Sequence, residues 1–201
     1  MRHVKLVFDL VVAALLLVVL LLPCLLVALI IRHDGGTTFF AHKRIGKSGR
    51  SFYCLKFRTM VVDADRKLHE MLISNPAKAI EWAATYKLID DPRVTPIGRF
   101  LRRTSLDELP QLINILRLEM SLVGPRPIVA SEVPLYGDRF ADYCAVRPGI
   151  TGVWQTQGRS HTAYETRVQL DQWYVRNWTF WLDIRLLLKT IPVVFGGEGA
   201  H

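Results

Sequence analysis

From Leu10 to Ile31 the chain runs for 22 residues without a charge, its apolar character interrupted only by Pro23 and Cys24. A helix over that run rises about 33 Å, close to the thickness of a hydrocarbon core. A secretory leader would have a shorter apolar core and a small-residue cleavage site, so the pattern predicts a retained membrane segment. Basic residues flank the run on both sides, Arg2 and Lys5 before it and Arg32, Lys43 and Arg44 after it, so the positive-inside rule does not separate its ends. Pro23, near the middle, removes a backbone donor and bends or breaks a helix. Two arrangements meet these facts: a kinked spanning helix, and a hairpin-like helix that dips into one leaflet, turns near Pro23 and comes back.

After residue 34 the pattern shortens. Thr38 to Ile45 and Ser51 to Met60 are aromatic and β-branched enough for strands, and Gly46 to Arg50 between them is turn chemistry, which predicts a β-hairpin. Val61 to Ser74 and Ala77 to Leu88 read as helices divided at Asn75-Pro76, and Pro96 opens a short helix that runs through Arg103. Gly124 to Pro127 and Arg147 to Gly152 read as rigid loops. Tyr164 to Val175 and Thr179 to Val194 read as helices. The last has Phe180, Trp181, Ile184, Leu187, Leu188 and Ile191 at helical spacing with Asp183, Arg185 and Lys189 between them, and Trp173, Tyr174 and Trp178 just upstream. Such a helix suits either the membrane interface or a protein core. The expected fold is α-rich α+β: a membrane helix in residues 1–34, and in residues 35–201 one domain of helices, a small β-hairpin and interfacial amphipathic helices.

Charge narrows the partners. Of 26 Lys and Arg and 18 Asp and Glu, three and two fall in residues 1–34, so the remainder is basic, with 23 against 16. That surplus suits an anionic leaflet, a phosphate-rich ligand or nucleic acid. Cys24, Cys54 and Cys144 are odd in number and form no C-x-x-C pair, which argues against a disulfide scaffold or a zinc site and for a reducing compartment. Ala41 to Ser48 misses a phosphate-binding P-loop by its first glycine and is rejected as one, since no buried strand precedes it.

The candidate chemistry lies in Thr104 to Leu112, where Asp107 and Glu108 stand side by side ahead of Pro110. Proline is comfortable in a first helical turn, so a helix is expected to begin near Asp107, with the positive end of its dipole keeping the carboxylates ionised. An ionised Asp can attack phosphorus, and an adjacent Glu can serve a proton or a metal. Ser105-x-x-Glu108 is equally a capping-box pattern. The surrounding arginines, Arg99, Arg102 and Arg103 before the pair, Arg126 between two prolines and Arg147 at the head of a rigid loop, favour bidentate phosphate binding. A diphosphate held between carboxylates and arginines calls for Mg²⁺.

Lys56-Phe57-Arg58-Thr59-Met60, Asp91 to Thr95, Thr104 to Leu112, Ser121 to Pro127, and Arg147 to Gly152 followed by Trp154-Gln155 resemble the motif series of the bacterial sugar transferases, the monotopic phosphoglycosyl transferases, in the family's order. Gly158-Arg159, Tyr164-Glu165, Asp171 to Val175 and Gly199-Ala200-His201 bring it nearest the undecaprenyl-phosphate galactose phosphotransferases. The resemblance implies transfer of a sugar 1-phosphate, galactose before glucose, from a UDP-sugar to undecaprenyl phosphate, with UMP released and an exopolysaccharide, O-antigen or capsule glycan begun. It implies Asp107 as nucleophile, Glu108 as partner for Mg²⁺ or a proton with Asp107 sharing the metal, and Arg126, Lys56, Arg58, Arg147 and Arg103 as phosphate-binding. It further implies a re-entrant helix broken at Pro23, embedded in membrane lipid of the bacterial inner membrane with the catalytic domain on the cytoplasmic face, no nucleic acid, and a homodimer left open. Longer relatives carry further membrane helices and a regulatory domain at the N-terminus, which are not expected here. Leu118 stands where glycine is frequent, and His201 where tyrosine is commoner. A non-catalytic basic membrane adaptor is the competing class; it gives no role to the Pro-Arg-Pro and Asp-Glu motifs.

Overall fold

The computed structural model describes residues 2–85, 88–157 and 163–196; Gly158-Arg159 and Gly199-Ala200-His201 lie outside them. The apolar run forms two helices, α1 (Arg2–Val19) and α2 (Leu21–Arg32), bent by 63°. The break expected at Pro23 falls three residues earlier, at Leu20. Pro23 has no N–H for the carbonyl of Val19, so the ladder opens there, while Leu20 N still donates to Leu16 O at 2.8 Å and Cys24 N to Leu20 O at 2.9 Å. Among the described residues no single helix is long and apolar enough to cross a membrane; the bent pair together meets that measure.

The hairpin forms as expected, slightly shorter: β1 (Phe39–Ile45) pairs antiparallel with β2 (Ser51–Phe57), Phe39 opposite Phe57 and Ile45 opposite Ser51. Next come α3 (Ala64–Ser74), α4 (Pro76–Thr85) and α5 (Pro96–Arg103). The start of α5 was legible because Pro96 occupies its first turn; the structure adds a cap, Thr95 Oγ1 accepting from the N–H of Gly98 at 3.0 Å. A short α6 (Gln111–Leu116) leads to β3 (Ser121–Val123), then α7 (Val133–Tyr136), α8 (Phe140–Cys144), β4 (Gly149–Thr151), α9 (Tyr164–Arg176) and α10 (Phe180–Gly196). β3 and β4 pair in parallel; β4 lies inside the Arg147–Gly152 segment expected to be a loop, and β3 ends just before the Gly124–Pro127 one. Gly149 permits this: a Cβ there would lie 2.1 Å from the backbone N of Gly124.

The main core joins α1 to α6, β3 and α10. Ala13, with Phe8, Val12, Leu16 and Leu17 around it, packs with Leu112 and Ile115 of α6, Leu122 and Val123 of β3, and Leu186 of α10. The other side of α1 and α2 is apolar and uncovered, with Val11, Leu15, Val18, Leu22 and Leu29 each more than 60% exposed. Asp183, placed by periodicity on the polar side of α10, is instead 1% exposed. It accepts from Lys5 Nζ at 2.6 Å, Tyr174 Oη at 2.7 Å and Trp178 Nε1 at 2.9 Å. Nearby, Asp9 accepts from Ser121 Oγ at 2.6 Å. The first helix is thus fastened to the last by charge as well as by packing.

Candidate active site

α5 ends at Arg103, and the chain reverses at Ser105, whose φ of +56° lies in the left-handed region. A single 3₁₀ turn, Leu106–Glu108, follows, and α6 begins only at Gln111. The helix start expected near Asp107 and the capping box on Ser105 are therefore absent: Ser105 makes no side-chain cap. Leu106 and Leu109 fix the turn by packing with Leu101, Phe57 and Ile31, which sets the dyad against β2. From the other side, Asn114 stands in for a neighbouring strand. It accepts from Leu55 N at 3.0 Å and donates to Tyr53 O at 2.8 Å, holding β2 in place with none of its surface exposed.

Lys56 lies between the two acids, its Nζ 3.2 Å from Asp107 Oδ2 and 2.7 Å from Glu108 Oε1. Asp107 is buried, and burial pushes its carboxyl above the ordinary aspartate value, with Lys56 and Arg102 opposing and Glu108 adding to the rise. What keeps the proton off is thus a neighbouring ammonium and not a helix dipole. Burial acts to lower Lys56, but Glu108 and then Asp107 outweigh it and hold the ammonium above the usual lysine value. The cluster rests as one cation shared by two carboxyl groups.

Lys56 and Glu108 face a cleft of about 290 Å³. Its walls are Arg44 of β1, Cys54 of β2, Gln111, the Arg126-Pro127 loop, and Gly149, Ile150 and Gln155. Arg44 donates to Pro127 O at 3.2 Å, and Gly149 N to Pro125 O at 2.8 Å, so the Pro-Arg-Pro loop is pinned from two sides. The exposed Arg126 guanidinium lies 5.7 Å from the Trp154 ring centre. Asp107 stands deeper, behind Lys56, with 11% of its side chain exposed. Two cationic forks and an ammonium on a small rigid cleft are suited to a diphosphate.

Lys56, Glu108 and Arg126 are therefore brought together as expected, with Asp107 in contact. Three other basic residues are not. Arg147 donates Nε to Leu118 O at 2.6 Å, which supports a left-handed residue: Leu118 has φ +62°. Arg103 is exposed at the end of α5, where a cation complements the last carbonyls. Arg58 turns to Ile31 O and Asp34 at the end of α2. The Asp91-Arg93 motif is also structural: the two side chains form a two-pronged pair, and Arg93 lies 5.1 Å over Trp82. Arg44, Gln111 and Gln155 were missed; Arg44 was visible only as one of the basic residues that follow the apolar run.

For a metal, the donor set is two adjacent carboxylates whose oxygens already converge on one cation. Among the described residues no group of three or more His, Cys, Asp or Glu side chains could hold an ion. Two carboxylates fit Mg²⁺, which commonly takes one or two and completes its shell with waters and substrate phosphates.

A family model described as bacterial sugar transferase matches residues 1–197. The UDP-galactose-lipid carrier transferase of Erwinia amylovora is 49% identical over 200 residues, covering 100% of this chain and 42% of that protein. The undecaprenyl-phosphate galactose phosphotransferase of Salmonella typhimurium is 45% identical over the same length, again 42% of its own chain. The exopolysaccharide production protein ExoY of Sinorhizobium fredii is 52% identical over 168 residues, 84% of this chain and 74% of that one. The chain thus spans less than half the length of the first two relatives. With the motifs in order from end to end and a basic cleft built around the acidic pair, the chain belongs to the bacterial sugar transferase family.

Proposed function

We propose that the protein transfers a sugar 1-phosphate, galactose 1-phosphate first among the candidates, from a UDP-sugar to undecaprenyl phosphate. The observation that carries this reading is the Lys56 ammonium shared by Asp107 and Glu108 at the wall of a cleft lined by Arg44 and Arg126. The diphosphate of the donor enters between the arginines and draws Lys56 away from the dyad, which uncovers Asp107. An Asp107 carboxylate oxygen attacks the sugar-bearing phosphorus; the bond from that phosphorus to the bridging oxygen breaks, and UMP leaves with the electron pair. The phosphate oxygen of the lipid then attacks the same phosphorus, and Asp107 departs as carboxylate. Asp107 and Glu108 would hold Mg²⁺ if it is bound, and the ion would supply charge neutralisation for the leaving UMP. Glu108 holds Lys56 in the resting site and is placed to take a proton.

The uncovered apolar side of α1 and α2 supports a re-entrant helix pair in the inner membrane, with both ends on the cytoplasmic face. Trp181, Leu188 and Ile191 of α10, each more than half exposed, support an interfacial seat for that helix. The deciding experiment measures UMP release from a panel of UDP-sugars, with and without undecaprenyl phosphate, while trapping labelled phosphosugar on the protein. UDP-galactose is expected to give the fastest release and an Asp107-linked label; release with no label on the protein would exclude the two-step route.

A further inference from the structure

Arg58 belongs to a second cleft, of about 410 Å³, where the end of α2 meets α5. Ile30, Ile31, Met60 and Ile97 form apolar walls around it, with Asp34 at the edge. Nη2 of Arg58 donates to Ile31 O at 2.9 Å and pairs with the Asp34 carboxylate, but Nε and Nη1 are buried without a partner. Gly36 covers them: a Cβ there would fall 2.3 Å from Nη1, so the strap carrying Asp34 lies directly on the guanidinium. A guanidinium in apolar surroundings with two nitrogens unsatisfied is under-paired. Asp34, its side chain 40% exposed, is an acceptor that another anion can replace.

We propose that this cleft docks the phosphate head of the polyprenyl acceptor, which takes the place of Asp34 on Arg58. A phosphate monoester brings three terminal oxygens to the fork, enough for the nitrogens that Asp34 leaves unpaired. The apolar walls continue into the exposed Leu26, Leu29 and Ile30 of α2, a path for isoprene units and not for free phosphate. Backbone pairing extends past β2, Arg58 N donating to Thr38 O at 2.9 Å. Alternation along the strand therefore puts Arg58 on the side of the hairpin that carries Lys56. The lipid phosphate waits beside the dyad, outside the donor cleft. This rests on the acceptor named above.

The test is binding, by the 201-residue chain in phosphatidylcholine nanodiscs, of polyprenyl phosphate, phosphatidylglycerol and inorganic phosphate. Arg58→Met is expected to weaken polyprenyl phosphate about tenfold, the worth of a charge-assisted contact, and Asp34→Asn to tighten it about threefold by removing the competing carboxylate. Phosphatidylglycerol competes only in large excess and inorganic phosphate at millimolar concentration does not. Binding unchanged in a folded Arg58→Met protein, displacement by inorganic phosphate, or Asp34→Asn binding no tighter than the parent overturns the proposal. The exposed Asp34 keeps the question answerable if Arg58→Met does not fold. UMP release by the same preparation reports separately on the donor chemistry.

Discussion

Two lysines in this protein each sit against two carboxylates, and the pairs do opposite work. Lys5 contacts Asp183 at 2.6 Å and Asp9 at 3.7 Å; Lys56 contacts Glu108 at 2.7 Å and Asp107 at 3.2 Å. Around Lys5 the closest carboxylate, Asp183, is fully engaged by protein. Asp183 also takes a phenol and an indole, and Lys5 gives a further bond to Val123 O at 3.1 Å. Around Lys56 the cluster opens on a cleft with two more cations on its walls. The same charges make a fastener where Asp183 is saturated by protein donors and, in the proposed reaction, a centre where an incoming anion can take the lysine.

The contrast breaks first at the dyad. Asp107→Ala is expected to lower UMP release by at least about 10³-fold while the fold persists, and retained turnover would remove Asp107 from the chemistry. A fourth buried aspartate, Asp171, sharpens the point because it has no lysine. Burial pushes Asp171 up to about 7, with the Tyr136 hydroxyl and Arg126 only partly opposing. Its folded value is raised, so the stability it contributes is present below pH 4 and lost as pH climbs to about 7, a change of about 4 kcal/mol. Asp171→Asn keeps an acceptor for Tyr136 and should flatten that part of a denaturation-versus-pH curve; an unchanged slope would locate the titration elsewhere.

At the fastener, Asp183→Ala leaves the partly buried Lys5 without its closest partner and should cost about 3 kcal/mol in chemical denaturation. The catalytic rate per folded molecule should hold. Lys56→Met should lower UMP release at pH 7 about tenfold. It also removes the main influence holding Asp107 down, so the acid limb of the pH–rate profile should move to higher pH. A limb that moved down would contradict the assignment. The smallest effect lies outside both clusters: Leu118→Gly relieves a left-handed leucine that is already 45% exposed. It should raise stability by about 0.5 to 1 kcal/mol.

What could be seen in the sequence was whatever rests on neighbours in the chain. The hairpin followed from its turn, α5 from Pro96, and the dyad from its motif. The geometry of the dyad did not, because Ser105 takes a left-handed conformation that a capping pattern cannot signal. β3 and β4 are three residues each and take their pairing from a partner far along the chain, so β3 carries no strand signal of its own and the Gly- and Pro-containing segment that holds β4 reads as a loop. Arg147 looked like a ligand of the donor phosphates from its place at the head of a rigid loop, and Arg58 from the motif resemblance. Their partners in the resting structure, the Leu118 carbonyl and the end of α2, are tertiary contacts with no local signature. The family pattern did signal one of them indirectly, since the frequent glycine at position 118 matches the left-handed backbone found there.

The fastener also sets an order of events during synthesis. Lys5 and Asp183 are 178 residues apart, so at 5–20 residues per second the ribosome delivers the partner roughly 10 to 40 s after the lysine. For that interval the first helix carries Lys5 and Asp9 without Asp183 to receive the ammonium. Its final seating waits on translation of α10, making the last helix a timer for the first.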